Sequence, residues 1–172
     1  LRELRARQAA WSALDADDYP AHLAELRARL ARDGWAGARL HDALGCVASA
    51  GAQALGRVPF DTQLQAAAVL LNDQLAEMAT GEGKTYAAAL AAAVAALAGV
   101  PVHVLTANDY LVERDASWLQ PLFERLGLSV GVVLTSSPPE ARRAAYACHL
   151  TYATAREIAF DHLRDRLDAP GR

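Results

Sequence analysis

The stretch "LAEMATGEGKTYAAAL", Leu75 to Leu90, restricts the fold more than any other part of the chain. Two glycines, Gly81 and Gly83, separate a short run ending at Met78 from an alanine-rich segment that starts at Lys84. Glycine reaches positive φ without a Cβ clash, so this spacing predicts a tight turn between a strand and a helix. Such a turn leaves the helix's first N–H groups unpaired and puts the positive end of its dipole there, which favours an anion. Lys84 adds a mobile positive charge, and Thr85 adds a hydroxyl able to meet Mg²⁺. The residues read as a phosphate-binding loop, although the general pattern asks for glycine where Met78 stands. That first position lies at the strand end, away from the anion. Helicase-like motors relax it and keep a TGxGKT core, which is complete here from Thr80 to Thr85.

The rest of the chain supplies the matching periodicity. After Arg57, apolar β-branched runs alternate with helical ones. "QLAEM" (74–78), "VPVHVLTA" (100–107), "LSVGVVLT" (128–135) and "HLTYAT" (149–154) are expected strands. Helices are expected from Lys84 to about Ala98, over 108–127, over 137–147 and over 155–167. Strands alternating with helices predict parallel βαβ units, and strands apolar on both faces suit a sheet covered on both sides. Asn108 is placed to cap one helix and Gly127 to end it, while Pro121 is expected to bend or divide it. The fold class expected is α/β, a parallel sheet of the RecA-like phosphate-loop type with flanking helices. A helical arm precedes it: Leu23, Leu26 and Leu30 recur at helical spacing, with Pro20 at a helix start and Gly34 at its stop. The expected organisation is residues 1–56 as the helical region and 57–172 as part of a nucleotide-binding domain.

Composition excludes several alternatives. A net charge of −3 gives no basic footprint, which disfavours a nucleic-acid partner. Lys84 is the single lysine among the cationic residues, so its place inside the glycine turn stands out. Cys46 and Cys148 lack metal or disulfide spacing and read as reduced thiols of a cytoplasmic protein. No charge occurs from Tyr86 to Ala107, long enough to span a bilayer. Gly99 and Pro101 interrupt it, so it reads as a buried helix, a turn and a strand. The opening "LRELRARQAAW" is too charged for a signal peptide, and a start at Leu1 reads as a fragment or trimmed chain.

Ahead of the loop lies "RVPFDTQ", Arg57 to Gln63. A carboxamide donates and accepts at once, which matches the adenine edge. Gln63 is therefore expected to read adenine, with Phe60 packing on the base. Asp61 fits equally well as the N-cap of the helix "TQLQAAAVLL" that follows.

Three extended segments carry a more specific signal. The chain reads "EMATGEGKT", then "TANDYLVERDASWLQPLFERLGLSVG", then "RRAAYACHLTYATAREIAFDHLRD". In order and spacing, over roughly Leu55 to Leu167, these resemble the SecA family of preprotein-translocating motors, whose patterns are EMxTGEGKT, TxNDYLxxRDAxWxxPLYxxLGLSVG and RRxAYxxDITYGTNxEFGFDYLRDN. A nucleic-acid helicase would carry a PTRELAxQ-like segment where Asn108-Asp109-Tyr110-Leu111 stands. The resemblance implies a first RecA-like domain that binds ATP or ADP with Mg²⁺ against a second such domain. It implies that Thr80, Gly81, Glu82, Gly83, Lys84 and Thr85 hold the phosphates, Lys84 and Thr85 acting in catalysis and the Thr85 hydroxyl meeting the metal. Gln63 would contact adenine, and Asp109 and Arg114 would belong to a coupling segment. Implied partners are a SecYEG-type translocon and unfolded preprotein, with acidic membrane lipids as a further contact. The implied location is the cytoplasm, peripheral to the cytoplasmic membrane.

The chain also departs from the family. It has Tyr152-Ala153-Thr154-Ala155 for Tyr-Gly-Thr-Asn, His162 for Tyr, Arg166 for Asn, Arg57-Val58 for Met-Arg, and Ala79 where Lys or Arg is common. The loop is intact while coupling positions differ, as expected of a divergent SecA-like paralogue. No apolar strand ending in Asp-Glu occurs within the 172 residues. This stretch alone is therefore expected to bind nucleotide with little hydrolysis, since that acid pair orients the attacking water. Two other readings compete with a translocating motor: a nucleotide-operated binding switch, and a helicase lobe.

Overall fold

The computed structural model describes residues 1–168. Three helices lead: α1 (Arg2–Ser12), α2 (Tyr19–Asp33) and α3 (Ala38–Leu55). The leucine stripe of α2 is buried at Leu23, Leu26 and Leu30. Gly34, at φ 66°, ends that helix and donates its N–H to Leu30 O at 2.9 Å. Helices α1 and α3 approach nearly to backbone contact at Gly45. A Cβ there would lie 2.7 Å from Arg7 Cβ and 2.9 Å from Gln8 N, so only glycine fits.

The chain continues through α4 (Asp61–Leu70) and α5 (Lys84–Leu97). Strand β1 (Val102–Thr106), α6 (Asp109–Arg125), β2 (Val130–Val132), α7 (Pro139–Tyr146), β3 (Leu150–Thr154) and α8 (Ala155–Asp168) complete it. The uncharged run divides as its composition predicts. Helix α5 stops at Gly99, at φ 82°, where Val100 N–H reaches back to Ala95 O at 3.1 Å, and β1 follows. No helix of the described residues is long and apolar enough to cross a membrane. Pro121 lies inside α6 without dividing it. The Asn108 side chain accepts Leu111 N–H at 2.9 Å and caps that helix, as expected.

The sheet is parallel, in the order β1-β3-β2. Leu150 pairs with Val102 on one side and Val130 on the other, and Tyr152 with Val104 and Val132. All five residues of β3 are buried. Alternation divides them between two layers. Leu150 and Tyr152 join the main core with Phe123 and Leu119 of α6, while Ala153 packs with Val133, Ala145 and Ile158 under α7 and α8. The main core also takes in Leu4, Trp11, Leu26, Leu30 and Leu44, so the leading helices share one apolar cluster with the sheet.

One expected strand is absent from the described residues. Residues 74–79 have no regular structure, and Leu75 is 93% exposed. A strand exists by pairing its backbone, and no ladder reaches this segment among the described residues. The strand expected over 128–135 is shorter than its apolar run: Val130–Val132 pair with β3, and bonding to it ends with Ser129 O and Val133 N–H at the two flanks.

Candidate functional site

The glycine turn is built as its residues require. Gly81 takes φ 88° and Gly83 φ 79°, and Gly83 is the residue before the first turn of α5. The turn closes on Ala79 from three directions. Ala79 O accepts the Glu82 N–H at 3.4 Å and the Lys84 ammonium at 2.8 Å, and Ala79 N–H donates to Glu82 Oε2 at 2.9 Å. Helix bonding resumes where Tyr86 and Ala87 donate to Gly83 O. Among the described residues, the amides of Gly81, Gly83, Lys84 and Thr85 meet no acceptor. Four unpaired amides at a helix N-terminus and an ammonium therefore lie on one exposed turn, a set of groups suited to an anion.

Gln63 lies directly beneath. It is 6% exposed and commits both ends of its carboxamide: Oε1 accepts Phe60 N–H at 2.9 Å, and Nε2 donates to Glu82 O at 3.0 Å. A Cβ on Gly83 would stand 2.2 Å from Gln63 Nε2, so the second glycine is needed for this approach as well as for its φ. Phe60 precedes α4 as its N-cap residue and is 70% exposed. Asp61 is not the cap; it is the first helical residue, and Gln63 does the capping by taking the Phe60 amide. A groove of about 280 Å³ beside the turn is lined by Thr62, Ala66, Val69, Met78 and Glu82. Thr80 is exposed, and Thr85 is half-buried at the start of α5.

Behind Thr85, the Tyr86 ring is buried, and its hydroxyl donates to Arg57 O at 3.2 Å. Trp118 of α6 meets that ring edge-on at 6.0 Å, and the Arg57 guanidinium lies 5.9 Å from the Trp118 ring. Burial pushes the Tyr86 phenol up to about 12.

The two coupling candidates sit apart from the turn's contacts. Asp109 Oδ2 accepts Thr135 N–H at 2.9 Å, tying the start of α6 to the segment after β2. Asp109 also lines a 490 Å³ groove at the carboxyl edge of the sheet with Thr106, Asn108, Thr135, Thr154 and Arg156. Arg114 instead pairs with its neighbour Asp115, at 2.8 and 2.6 Å.

Sequence reasoning missed a buried ionic network. Arg142 of α7 donates Nη1 to Asp161 and Nη2 to Glu157, each at 2.8 Å, and its Nε to Ser137 O at 2.9 Å. The Tyr146 hydroxyl adds a bond to Asp161 at 2.7 Å. The Arg142 bond holds Glu157 below the usual carboxylate range against the cost of burial. Burial works to raise Asp161, but the Tyr146 and Arg142 bonds outweigh it and bring it below its ordinary value. Neighbouring Arg142 and Arg143 look alike in sequence, and nothing local marks the first as the buried one.

Fold and turn together define a class: an α/β domain with a parallel sheet and a glycine-rich anion-accepting turn feeding a helix. A family model for the SecA DEAD-like domain matches residues 1–171. The chain belongs to that family. It is 46% identical over 155 residues to the protein translocase subunit SecA of Pseudomonas putida strain W619, covering 90% of this chain and 17% of that protein. It is 48% identical over 143 residues to the subunit of the same name from Stutzerimonas stutzeri strain A1501, covering 83% of this chain and 16% of that protein. The chain thus spans about one sixth of the length of these curated relatives.

Proposed function

We propose that the Thr80–Thr85 turn binds the phosphates of ATP or ADP with Mg²⁺, and that the chain is the ATP-binding part of a SecA-like motor. The observation that carries this is the set of unpaired amides of Gly81, Gly83, Lys84 and Thr85 at the start of α5, beside the Lys84 ammonium. These donors fit a polyphosphate. Lys84 bonds only a backbone carbonyl, which it can exchange for a phosphate oxygen, and the Thr85 hydroxyl stands at the helix start to meet the metal. Bound ATP would supply the phosphoanhydride whose cleavage drives the motor, with Mg²⁺ screening its charge. Gln63 and Phe60 are the adenine-side residues, Phe60 from an exposed position and Gln63 from the turn's floor, with the second N–H and second oxygen lone pair that its bonds to Glu82 O and Phe60 N–H leave over. Glu82 shapes the turn through Ala79, and Asp109 and Arg114 are assigned to coupling.

In this reading residues 57–172 form part of the nucleotide-binding domain and residues 1–56 a helical arm packed on it. The whole protein would be an ATPase moving unfolded preprotein through a SecYEG-type channel, from the cytoplasm and peripheral to the membrane, with acidic lipids as a contact. SecA translocase relatives at 45–48% identity support that assignment. Within these 172 residues no Asp-Glu pair ends an apolar strand, so the chain alone is assigned binding with little hydrolysis.

Calorimetric titration with Mg²⁺-ADP tests the site. The wild-type chain is expected to bind, and Lys84→Ala to weaken binding about tenfold or more, since one charge-assisted hydrogen bond contributes about 1.5–3 kcal/mol. Equal affinity in both proteins, or none in the wild type, would overturn the assignment. For the whole protein, preprotein-stimulated ATP hydrolysis is expected and should be abolished by Lys84→Ala. Nucleotide binding without hydrolysis would instead mark a switch module.

A further inference from the structure

Among the described residues, Arg5 is the side chain of α1 that hydrogen-bonds the Pro59–Asp61 segment ahead of α4. Arg5 donates Nη2 to Pro59 O at 2.9 Å and Nε to Asp61 Oδ1 at 2.9 Å. Its Nη2 also meets Asp61 Oδ1, and Nη1 is steadied by Gln8 Oε1 at 2.7 Å. Pro59 and Asp61 flank Phe60, whose amide is taken by Gln63, and Gln63 in turn holds Glu82 O in the glycine turn. Hydrogen bonds joined by the backbone of Pro59–Asp61 therefore connect Arg5 of α1 to Gln63 and the floor of the turn. Each step involves a directional donor, so displacement at one end changes geometry at the other. Other arginines of the helical region go elsewhere: Arg29 reaches Asp42, Arg32 reaches Asp33, and Arg27 crosses to Leu126 O and Gly127 O at the end of α6, away from the glycine turn. Arg5 alone among these crosses to the segment that carries Phe60 and Gln63.

We infer that Arg5 is a positioning residue for the nucleotide site, setting its affinity from the helical arm without touching the ligand. This rests on the nucleotide reading of the Thr80–Thr85 turn. Docking of α1 fixes the Pro59–Asp61 segment, which fixes Gln63, which holds the Glu82 carbonyl and with it the direction of the unpaired amides. The coupling is reciprocal: a nucleotide that orders the turn also tightens α1 onto the domain. Whatever moves α1 in the whole protein thereby retunes nucleotide affinity. The ion pair is partly solvated, with side-chain exposures of 33% for Arg5 and 58% for Asp61, so its share of the effect declines as salt screens it.

The test compares Mg²⁺-ADP affinity of the wild-type chain with Arg5→Ala, Asp61→Ala, the double variant and Arg29→Ala, each at a temperature where it is folded. Arg5→Ala and Asp61→Ala are each expected to weaken ADP by about three- to tenfold, the range of couplings carried through such networks. The double variant should be no worse than the more damaging single one, because both interrupt one connection. Arg29→Ala should lower the melting temperature and leave ADP affinity at the wild-type value. Hydrogen exchange without nucleotide should show faster exchange over residues 79–83 in Arg5→Ala and Asp61→Ala and not in Arg29→Ala. Normal ADP affinity in Arg5→Ala, or an equal loss in Arg29→Ala, would overturn the inference while leaving the nucleotide reading intact. Absence of ADP binding by the wild type would defeat both, and so separates the two failures.

Discussion

Gln63 spends one carboxamide on two backbones, and this makes its chemistry unusually sensitive to substitution. Gln63→Ala removes an acceptor from the Phe60 amide and a donor from the Glu82 carbonyl. It should cost about 1–2 kcal/mol of stability in chemical unfolding and loosen the turn. Gln63→Glu keeps the acceptor but sets a negative charge against the Glu82 carbonyl, so ADP should bind more weakly to it than to the alanine variant. The cysteines offer a second residue-scale contrast. Burial pushes the Cys46 thiol up to about 12, whereas Cys148 is half-buried. A thiol reagent at pH 8 should modify Cys148 in the native protein and reach Cys46 only on unfolding. Because the folded-state values of Cys46 and Tyr86 lie above their ordinary 9.0 and 10.0, their neutral forms favour the fold. That contribution is complete below pH 9 and is lost between about pH 9 and 12, which pH-dependent denaturation can follow.

At the scale of elements, α7 and α8 are joined by a buried ionic network as well as by apolar contact. Removing Arg142 leaves Glu157 and Asp161 with only the exposed Arg156 and Arg164 as cationic partners, so Arg142→Ala should destabilise the protein by about 2–4 kcal/mol, less than for a buried charge left wholly unpaired. Both carboxyls are held below their ordinary values, so they stabilise the fold above about pH 4. This contribution disappears as pH falls through the folded-state values; acid unfolding should therefore begin at α7 and α8, seen as early exchange of their amides.

The same elements show what a sequence can reveal. The turn was legible because its chemistry resides in residue types: two glycines, a lysine and a threonine at fixed spacing. Helix α5, β1 and β3 were legible from runs of alanine or of β-branched residues. Residues 74–78 misled, since a strand depends on a distant partner and "QLAEM" reports only local preference. The Gln63–Glu82 and Arg5–Asp61 bonds link residues 19 and 56 positions apart, distances over which no periodicity carries information.

Across the whole molecule, one apolar cluster extends from Leu4 to Tyr152. The leading helices are therefore part of what keeps α5 and α6 dry. Deleting residues 1–56 would remove Trp11, Leu26, Leu30 and Leu44 from that cluster. The remainder is expected to lose its cooperative thermal transition, as monitored by circular dichroism. A folded remainder with a sharp transition would mean that the sheet and its own helices suffice.

The packing behind Thr85 also gives the protein a built-in optical gauge. Trp118 rests edge-on against Tyr86, the residue immediately after the turn's threonine, with the Arg57 cation close to its indole ring. Any adjustment of the first turn of α5 shifts the phenol and the cation relative to that ring. With Trp11 and Trp35 replaced by phenylalanine, the emission of Trp118 alone would report, without an added label, each arrival and departure at the neighbouring turn.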